Sequence, residues 1–111
     1  MNRRPTLWVR ARLAPAVINE FEVWHSETHL PHVLEIPGIV RAQRVRGVND
    51  QPGTHLMLFE FFNDAAVQPA LSSAQAQRAR QDWDRWRPHL QELSIEIYAL
   101  LGPIDTYHHR N

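Results

Sequence analysis

The stretch EFEVWHSETHLPHVLEIPG, residues 20–38, begins as an amphipathic helix and ends at a proline-glycine turn. At about 100° per residue, His25, His29 and His32 fall within an arc of roughly 60° on that helix. The neighbouring arc carries side chains at the spacing of a buried stripe, namely Val17, Phe21, Trp24 and Thr28. We therefore expect the histidines to border the core, where a group that titrates near neutrality suits proton transfer.

A proline interrupts this helix. Pro31 has no backbone N–H to donate, and its ring crowds the preceding turn. The apolar phase also changes after it, at Val33, Leu34 and Ile36. The sequence therefore predicts that the first helix bends or ends within one turn of Pro31.

The composition is that of one small domain. With 43% hydrophobic residues, the 111-residue chain can form a single core, and we predict one domain over 1–111 with flexible ends at 1–5 and 103–111. Twelve basic and twelve acidic residues cancel without forming a basic stripe, so we expect no nucleic-acid partner. No apolar run is long enough to span a membrane and no leader opens the chain, which predicts a cytoplasmic protein without a membrane partner.

Residue types that the chain lacks limit its chemistry. Cysteine is absent, which excludes disulfides, thiolate nucleophiles and sulfur ligands to metals. All twelve basic residues are arginine, so a lysine Schiff base is also excluded. There is no Gly-rich phosphate loop and no dinucleotide fingerprint, and we predict no cofactor. A metal ion bound by His25, His29 and His32 is an alternative, although no carboxylate completes that ligand set.

The predicted elements follow the order β-α-β-β-α-β. Alternation of apolar and polar residues predicts strands at 6–13, 39–46, 55–62 and 94–101. The third strand is apolar on both faces apart from Glu60, so it should be central. This order is the ferredoxin-like α+β arrangement, a four-stranded antiparallel sheet with both helices on one face.

The second helical region carries its own local signals. Caps and breaks are predicted at Asn63 or Asp64, at Pro69 and at Ser72-Ser73. Trp83 and Trp86 recur at helical spacing and are expected to pack between helix and sheet. Arg78 with Asp82 and Arg80 with Asp84, each four residues apart, are expected to pair on the solvent side.

The face of the sheet away from the helices presents an unusual surface. Trp8, Arg10 and Arg12 of the first strand alternate with the core residues and belong to this face. Together with apolar residues from the other strands, they make it too apolar to leave in water. We therefore predict a homodimer in which two sheets face each other and close an α+β barrel around a cavity.

The run WHSETHLPHVLEIPGIVRAQR, residues 24–44, resembles the W-x-x-x-E-H-[IL]-P…PG[IF]…A-x-R signature of EthD-like members of the dimeric α+β barrel superfamily. His29 matches the motif histidine, and Leu30 and Pro31 follow as in the motif. Thr28 departs from it, because glutamate is usual there. The resemblance implies a barrel fold and a small-molecule ligand; relatives include isomerases, cyclases, decarboxylases, cofactor-free monooxygenases, haem proteins and proteins without known activity.

Together, the residues and the resemblance predict a cofactor-independent lyase or isomerase. Proton transfer, cyclisation, dehydration or decarboxylation of an aromatic or polyketide-like acid would use His29 as general acid and base. The predicted substrate-binding residues are His25, Trp8, Arg10, Arg44 and Tyr98. The alternatives are a non-catalytic ligand-binding or accessory barrel, a cofactor-free monooxygenase and a haem-binding relative.

Overall fold

The computed structural model describes residues 4–101. Apart from Arg4 and Pro5, the ends predicted to be flexible, 1–5 and 103–111, lie outside the described residues. Pro5 is buried, and its carbonyl accepts a hydrogen bond of 2.9 Å from the Phe61 N–H. Within 4–101 there is no helix long and apolar enough to cross a membrane. The cytoplasmic location stays a prediction.

One antiparallel sheet contains four strands in the order β2-β3-β1-β4. The strands are β1 (Thr6–Leu13), β2 (Ile39–Val45), β3 (Thr54–Phe61) and β4 (Leu90–Tyr98). The α-helices are α1 (Ile18–Trp24), α2 (Leu30–Leu34), α3 (Asp64–Leu71) and α4 (Ala74–Asp82). The predicted ferredoxin-like α+β fold is confirmed, and β3 is central, as its two apolar faces indicate.

The last strand begins and ends earlier in the chain than predicted. Alternation predicts it at 94–101, whereas β4 begins at Leu90 and ends at Tyr98. Residues 90–93 contain no β-branched or aromatic side chain. They are extended because they pair with the end of β1, where Arg12 lies opposite Glu92. Pairing with a neighbouring strand here outweighs local propensity.

The two faces of the sheet differ as the alternation predicts. The face under the helices carries buried side chains, namely Val9, Ala11, Leu13, Met57, Phe59 and Phe61. Trp8, Arg10 and Arg12 alternate with the buried residues of β1, so they lie on the opposite face, where each is partly exposed. Dimerisation through this face stays a prediction.

The first helical region contains a π-helical segment, His25–His29, between α1 and α2. The Leu30 N–H donates to the His25 carbonyl, five residues back. Pro31 has no N–H for the Glu27 carbonyl, and a wider turn relieves the crowding between its ring and that carbonyl. The prediction was a bend or an end within one turn of Pro31, and α2 does end at Leu34, three residues further on. The π segment before Pro31 was not predicted.

The π segment changes which side chains are buried. A π turn takes up one extra residue, so side chains four apart stay on one face. Four buried residues follow this spacing: Phe21, His25, His29 and Val33. Thr28 is exposed. Its predicted place in the buried stripe is wrong, because that prediction assumed a constant turn of 3.6 residues. His25 and His29 therefore lie in the core rather than beside it.

Side-chain caps divide the second helical region at Ser72-Ser73 as predicted, whereas the break predicted at Pro69 is wrong, because Pro69 lies inside α3. Asn63 caps α3 and Ser73 caps α4, each accepting a backbone N–H from three residues further on, at 2.9 and 3.1 Å. After α4 the chain continues as a 3-10 segment, Trp83–His89. Its Trp83 and Trp86 are buried in the core, which confirms that they pack between helix and sheet.

Candidate active site

A cavity of about 120 Å³ lies between the helices and the covered face of the sheet. Aliphatic and aromatic side chains form its walls, apart from His25, His29 and Arg80. Ile95 and Ile97 line it on β4 and are still 51% and 40% exposed, so the cavity reaches solvent along that strand. The sequence predicted a cavity between the sheets of two copies, whereas this one lies under the helices of a single chain.

Three contacts hold the His29 imidazole in one orientation. Trp24 stacks on the ring, with centroids 5.4 Å apart and planes inclined by 13°, and Trp83 contacts it edge-on at 5.4 Å. Asp82 Oδ2 lies 2.9 Å from its Nδ1. The side chain is almost wholly buried and lines the cavity. Because Asp82 occupies Nδ1, Nε2 is the nitrogen that can act on a ligand.

A chain of hydrogen bonds supports Asp82 in turn. Its Oδ2 also lies 2.7 Å from Nδ1 of His32, and the His32 Nε2 lies 2.8 Å from a guanidinium nitrogen of Arg78. A guanidinium only donates, so His32 Nε2 accepts and its proton lies on Nδ1, which donates to Asp82. The carboxylate thus receives N–H donors from two histidines, and each ring is held in one tautomer.

The protonation states suit a general base. Burial lowers the pKa of His29, although the hydrogen bond and the charge of Asp82 act in the opposite direction. Burial alone would raise the pKa of Asp82, but hydrogen bonds from His29 and His32 outweigh it and the pKa is lowered. At neutral pH Asp82 is therefore a carboxylate and His29 is a neutral imidazole with a free lone pair on Nε2.

A second group of titratable side chains adjoins the cavity. The His55 ring lies 4.2 Å from that of His25, and its Nδ1 is 3.3 Å from Glu22 Oε2, while Glu22 Oε1 pairs with Arg44. Burial, with a smaller effect of nearby cationic groups, lowers the pKa of His25 to about 3 and that of His55 to about 4. Among the described residues, Nε2 of His55 has no hydrogen-bond partner although it is buried.

The predicted substrate-binding residues do not form one site. His25 lines the cavity with His29. Trp8, Arg10 and Tyr98 lie on the opposite face of the sheet, because Tyr98 faces Thr6 in the register and so shares a face with Trp8. The sheet therefore separates these three side chains from the cavity.

The two arginines predicted to hold a substrate anion already have carboxylate partners. Arg10 binds Asp50 at 2.9 Å on the face away from the helices. Arg44 lies on the helix side and pairs with Glu22, and it is absent from the lining of the cavity. Neither guanidinium is placed to meet a ligand there.

Sequence reasoning missed Asp82. The predicted Arg78–Asp82 pair on the solvent side is wrong, because both side chains bind His32 instead. His29 and Asp82 are 53 residues apart, so no local spacing connects them. The one signal in the sequence is Thr28, which leaves the motif histidine without its usual neighbouring carboxylate.

The alternative of a metal ion gains no support from the geometry. Within residues 4–101 no group of three or more His, Asp or Glu side chains is arranged to hold one. Both nitrogens of His32 are used, one by Asp82 and one by Arg78. The cavity is also small for haem: its volume of about 120 Å³ is below the roughly 300–1,000 Å³ of sites for drug-sized ligands.

Comparison with known proteins gives matches among solved structures, whereas no family model and no curated protein matches the sequence. An EthD family protein from Bacillus halodurans C-125 superposes with a TM-score of 0.68 at 17% identity, covering 87% of this chain and 99% of that one. SnoaB, a cofactor-independent oxygenase from Streptomyces nogalater, gives 0.63 at 18% identity, covering 93% and 98%. A candidate antibiotic biosynthesis monooxygenase from Deinococcus radiodurans gives 0.65 at 13%, covering 91% and 96%.

These structural similarities agree with the EthD-like signature of residues 24–44. The chain has the α+β fold of an EthD family protein, as that motif predicts. The same fold occurs in a cofactor-independent oxygenase. With identities of 13–18%, the superpositions establish the fold and leave the reaction to the geometry of the site.

Proposed function

We propose that the chain is a cofactor-independent lyase or isomerase that moves a proton with His29 in the cavity under its helices. One observation carries this proposal: the His29 ring is clamped by Trp24 and Asp82, with Nε2 left for a ligand in an apolar cavity. A neutral imidazole held by a carboxylate is a general base, and the carboxylate stabilises the imidazolium that forms.

The reaction class follows from what such a base can do alone. Nε2 accepts a proton from a carbon next to a carbonyl, and the electron pair of that C–H bond moves to the carbonyl oxygen as an enolate. Return of the proton to another carbon gives an isomer, and expulsion of a β-substituent gives a lyase product. Apart from His25 and Arg80, the described lining offers no polar side chain that would compete with the substrate for the base.

The size of the cavity narrows the substrate. A cavity of about 150 Å³ in another protein holds a benzene molecule, so about 120 Å³ suits one ring or a short chain. The predicted class, aromatic or polyketide-like acids, is accordingly narrowed here to single-ring and short-chain acids.

Deuterium exchange tests the proposal whatever the product of the reaction is. Single-ring and short-chain keto acids are incubated with the protein in D₂O near pH 7, and proton NMR follows the signal next to the carbonyl. We expect at least one acid to exchange faster than in buffer, with consumption or rearrangement. Binding without exchange across the whole panel would favour the non-catalytic ligand-binding alternative.

A cofactor-free monooxygenase is the second candidate, because SnoaB shares the fold. In that reaction the same deprotonation would give a carbanion, and O₂ would act as the oxidant. Oxygen uptake separates the two: a lyase or isomerase turns over equally in air and under argon, whereas a monooxygenase stops without O₂.

Asp82→Asn is expected to lower turnover by roughly 10-fold or more. The amide NH₂ can donate to His29 Nδ1, which would put the proton on Nε2 and remove the base. Asp82 also raises the pKa of His29, so its loss should move the acid limb of the pH profile to lower pH. Asp84→Asn is the matched control, since Asp84 is exposed and pairs with Arg87.

A pH profile distinguishes positioning of His29 from a purely structural role. If Asp82→Asn lowers stability and leaves both the plateau and the acid limb of turnover unchanged, Asp82 does not orient the base. The stability of each variant, from urea unfolding, provides the reference.

We also propose a homodimer. The face of the sheet without helices carries partly exposed Trp8, Leu56 and Leu58, whose apolar surface a second copy would cover. Sedimentation at micromolar concentration should give twice 13.0 kDa. Trp8→Asp should then sediment as a monomer, and a wild-type monomer at all concentrations would contradict the proposal.

A further inference from the structure

Arg80 is the one arginine of the described chain that lines the cavity. Four side chains at i, i+3, i+4 and i+7 spacing line it here: Ala76, Ala79 and Arg80 of α4, and Trp83, the first residue of the 3-10 segment that follows. The two alanines are buried, whereas Arg80 is exposed. Its side chain therefore lies where the cavity meets solvent.

The predicted pair of Arg80 with Asp84 is wrong, because Asp84 binds Arg87 instead. The guanidinium of Arg80 has no carboxylate partner among residues 4–101. One of its nitrogens donates to the Leu71 carbonyl at 3.3 Å, and Leu71 also lines the cavity. This bond fixes the group near the end of α3, while its other N–H donors are available. By contrast, five other arginines each lie within 4 Å of a carboxylate, namely Arg10, Arg12, Arg41, Arg44 and Arg87.

The chemistry of the walls defines the ligand that fits. A carboxylate buried among the apolar side chains would lose its hydration without compensation. A carboxylate at the solvent end, beside Arg80, would keep water contacts and gain charge-assisted hydrogen bonds in a bidentate pair. The apolar part of the same molecule would fill the cavity against Trp83 and reach the wall that carries His29.

We propose that Arg80 is the anion-binding residue of this cavity and selects small monocarboxylic acids with one ring or a short apolar chain. The inference deepens the proposed function, on which it rests for the choice of cavity. It reassigns to Arg80 the role that the sequence suggests for Arg10 and Arg44, whose guanidinium groups lie elsewhere.

Binding of benzoate and of its neutral analogue benzamide tests the inference without any turnover. Both have one ring, and Trp83 in the wall reports occupancy through its fluorescence; calorimetry gives a second reading. We expect benzoate to bind the wild-type protein at least 10-fold more tightly than benzamide. Arg80→Gln should weaken benzoate binding by about 10-fold or more and leave benzamide unchanged, because a charge-assisted pair is lost. Arg87→Gln, which removes an exposed arginine away from the cavity, should change neither affinity.

The outcomes separate this inference from the proposed reaction. Equal benzoate affinity of wild type and Arg80→Gln, or no benzoate binding to the wild type, overturns the role of Arg80. His29→Gln should still bind benzoate while losing deuterium exchange, so a failure of proton transfer leaves the binding result standing. Thermal unfolding of Arg80→Gln confirms that any loss of affinity occurs in a folded protein.

Discussion

His29→Ala is expected to lower the turnover of the proposed proton transfer by about 100-fold or more, which is the usual contribution of one general acid or base. The Nε2 lone pair is lost, and no other imidazole replaces it. His25 also lines the cavity, but its pKa of about 3 makes it a weak base. His25→Ala should accordingly cost much less activity than His29→Ala.

The pH dependence of turnover has a defined sign. The base must be neutral, and burial lowers the pKa of His29 from 6.5. Turnover should therefore be constant above pH 6.5 and fall as the pH drops through a value below it. A limb on the alkaline side alone would contradict the assignment of His29 as the base.

The stability of His29→Ala needs a matched comparison. The place of His29 beside the predicted stripe suggests that the fold tolerates its loss, but the residue is only 4% exposed and is stacked on Trp24. Truncation leaves a void and removes a donor from Asp82, at a cost of about 2–4 kcal/mol. His29→Gln fills more of the space and keeps a donor, and His89→Ala removes an exposed histidine as the control.

Full activity in folded His29→Gln protein would eliminate the proposed base. If both variants fail to fold while His89→Ala folds, the role of His29 is structural. Circular dichroism and urea unfolding decide between these results before any rate is compared.

The second large effect is unfolding in mild acid. His25 and His55 have folded pKa values of about 3 and 4, below their ordinary 6.5, so the unfolded chain binds protons more readily. Their stabilising effect is complete above pH 6.5 and is lost as the pH falls towards 4. Below pH 6.5, each histidine lowers the free energy of unfolding by about 1.4 kcal/mol per pH unit, so at pH 4.5 the two together have lowered it by about 5 kcal/mol. That is comparable with the whole stability of a small domain, about 5–15 kcal/mol.

Other titratable groups around these histidines modify the midpoint. Burial raises the pKa of Glu22, although the charge of Arg44 opposes this. The folded protein therefore binds this proton more readily than the unfolded chain, and protonation of Glu22 near its ordinary pKa of 4.5 partly offsets the loss of stability. The pKa of Asp82 is lowered, so its protonation reduces the stability of the fold further only below its ordinary pKa of 3.8. We expect half of the protein to be unfolded between pH 4 and 5.

Urea unfolding at several pH values measures this effect. The slope of the unfolding free energy against pH counts the protons taken up on unfolding. His25 and His55 should contribute about two between pH 5 and 6, and His29, whose pKa is also lowered, adds to that number. His55→Gln should lower that slope by about one, whatever its effect on absolute stability. A wild-type protein that stays folded at pH 3.5, or a slope unchanged in the variant, would contradict the assignment.

Local patterns in the sequence predicted most of the fold. The alternation of residues 6–13 matches β1 to the residue, and the caps at Asn63 and Ser73 lie where their residue types indicate. The third strand is apolar on both faces, which predicted its central place in the sheet. Each of these signals acts over a few residues of the chain, so it can be read without the tertiary structure.

The candidate site could be predicted only in part. The motif at 24–44 singled out His29, which lines the cavity. The face of Trp8, Arg10 and Tyr98 could be derived from alternation, but the side of the sheet on which the cavity lies could not. The carboxylate of Asp82 and the guanidinium of Arg80 come from α4, in a part of the chain that the motif does not reach.

By itself the sequence determined the order of elements, the central strand, the capped helices and the histidine to consider. The tertiary structure alone decided that a π turn before Pro31 rotates His29 into the core, that Asp82 becomes its partner and that Arg80 borders the cavity. The physical reason is the separation in sequence over which each interaction acts. Propensity, capping and alternation act between residues close in the chain, whereas the burial of an imidazole and its partner depend on elements that meet only after the sheet has formed.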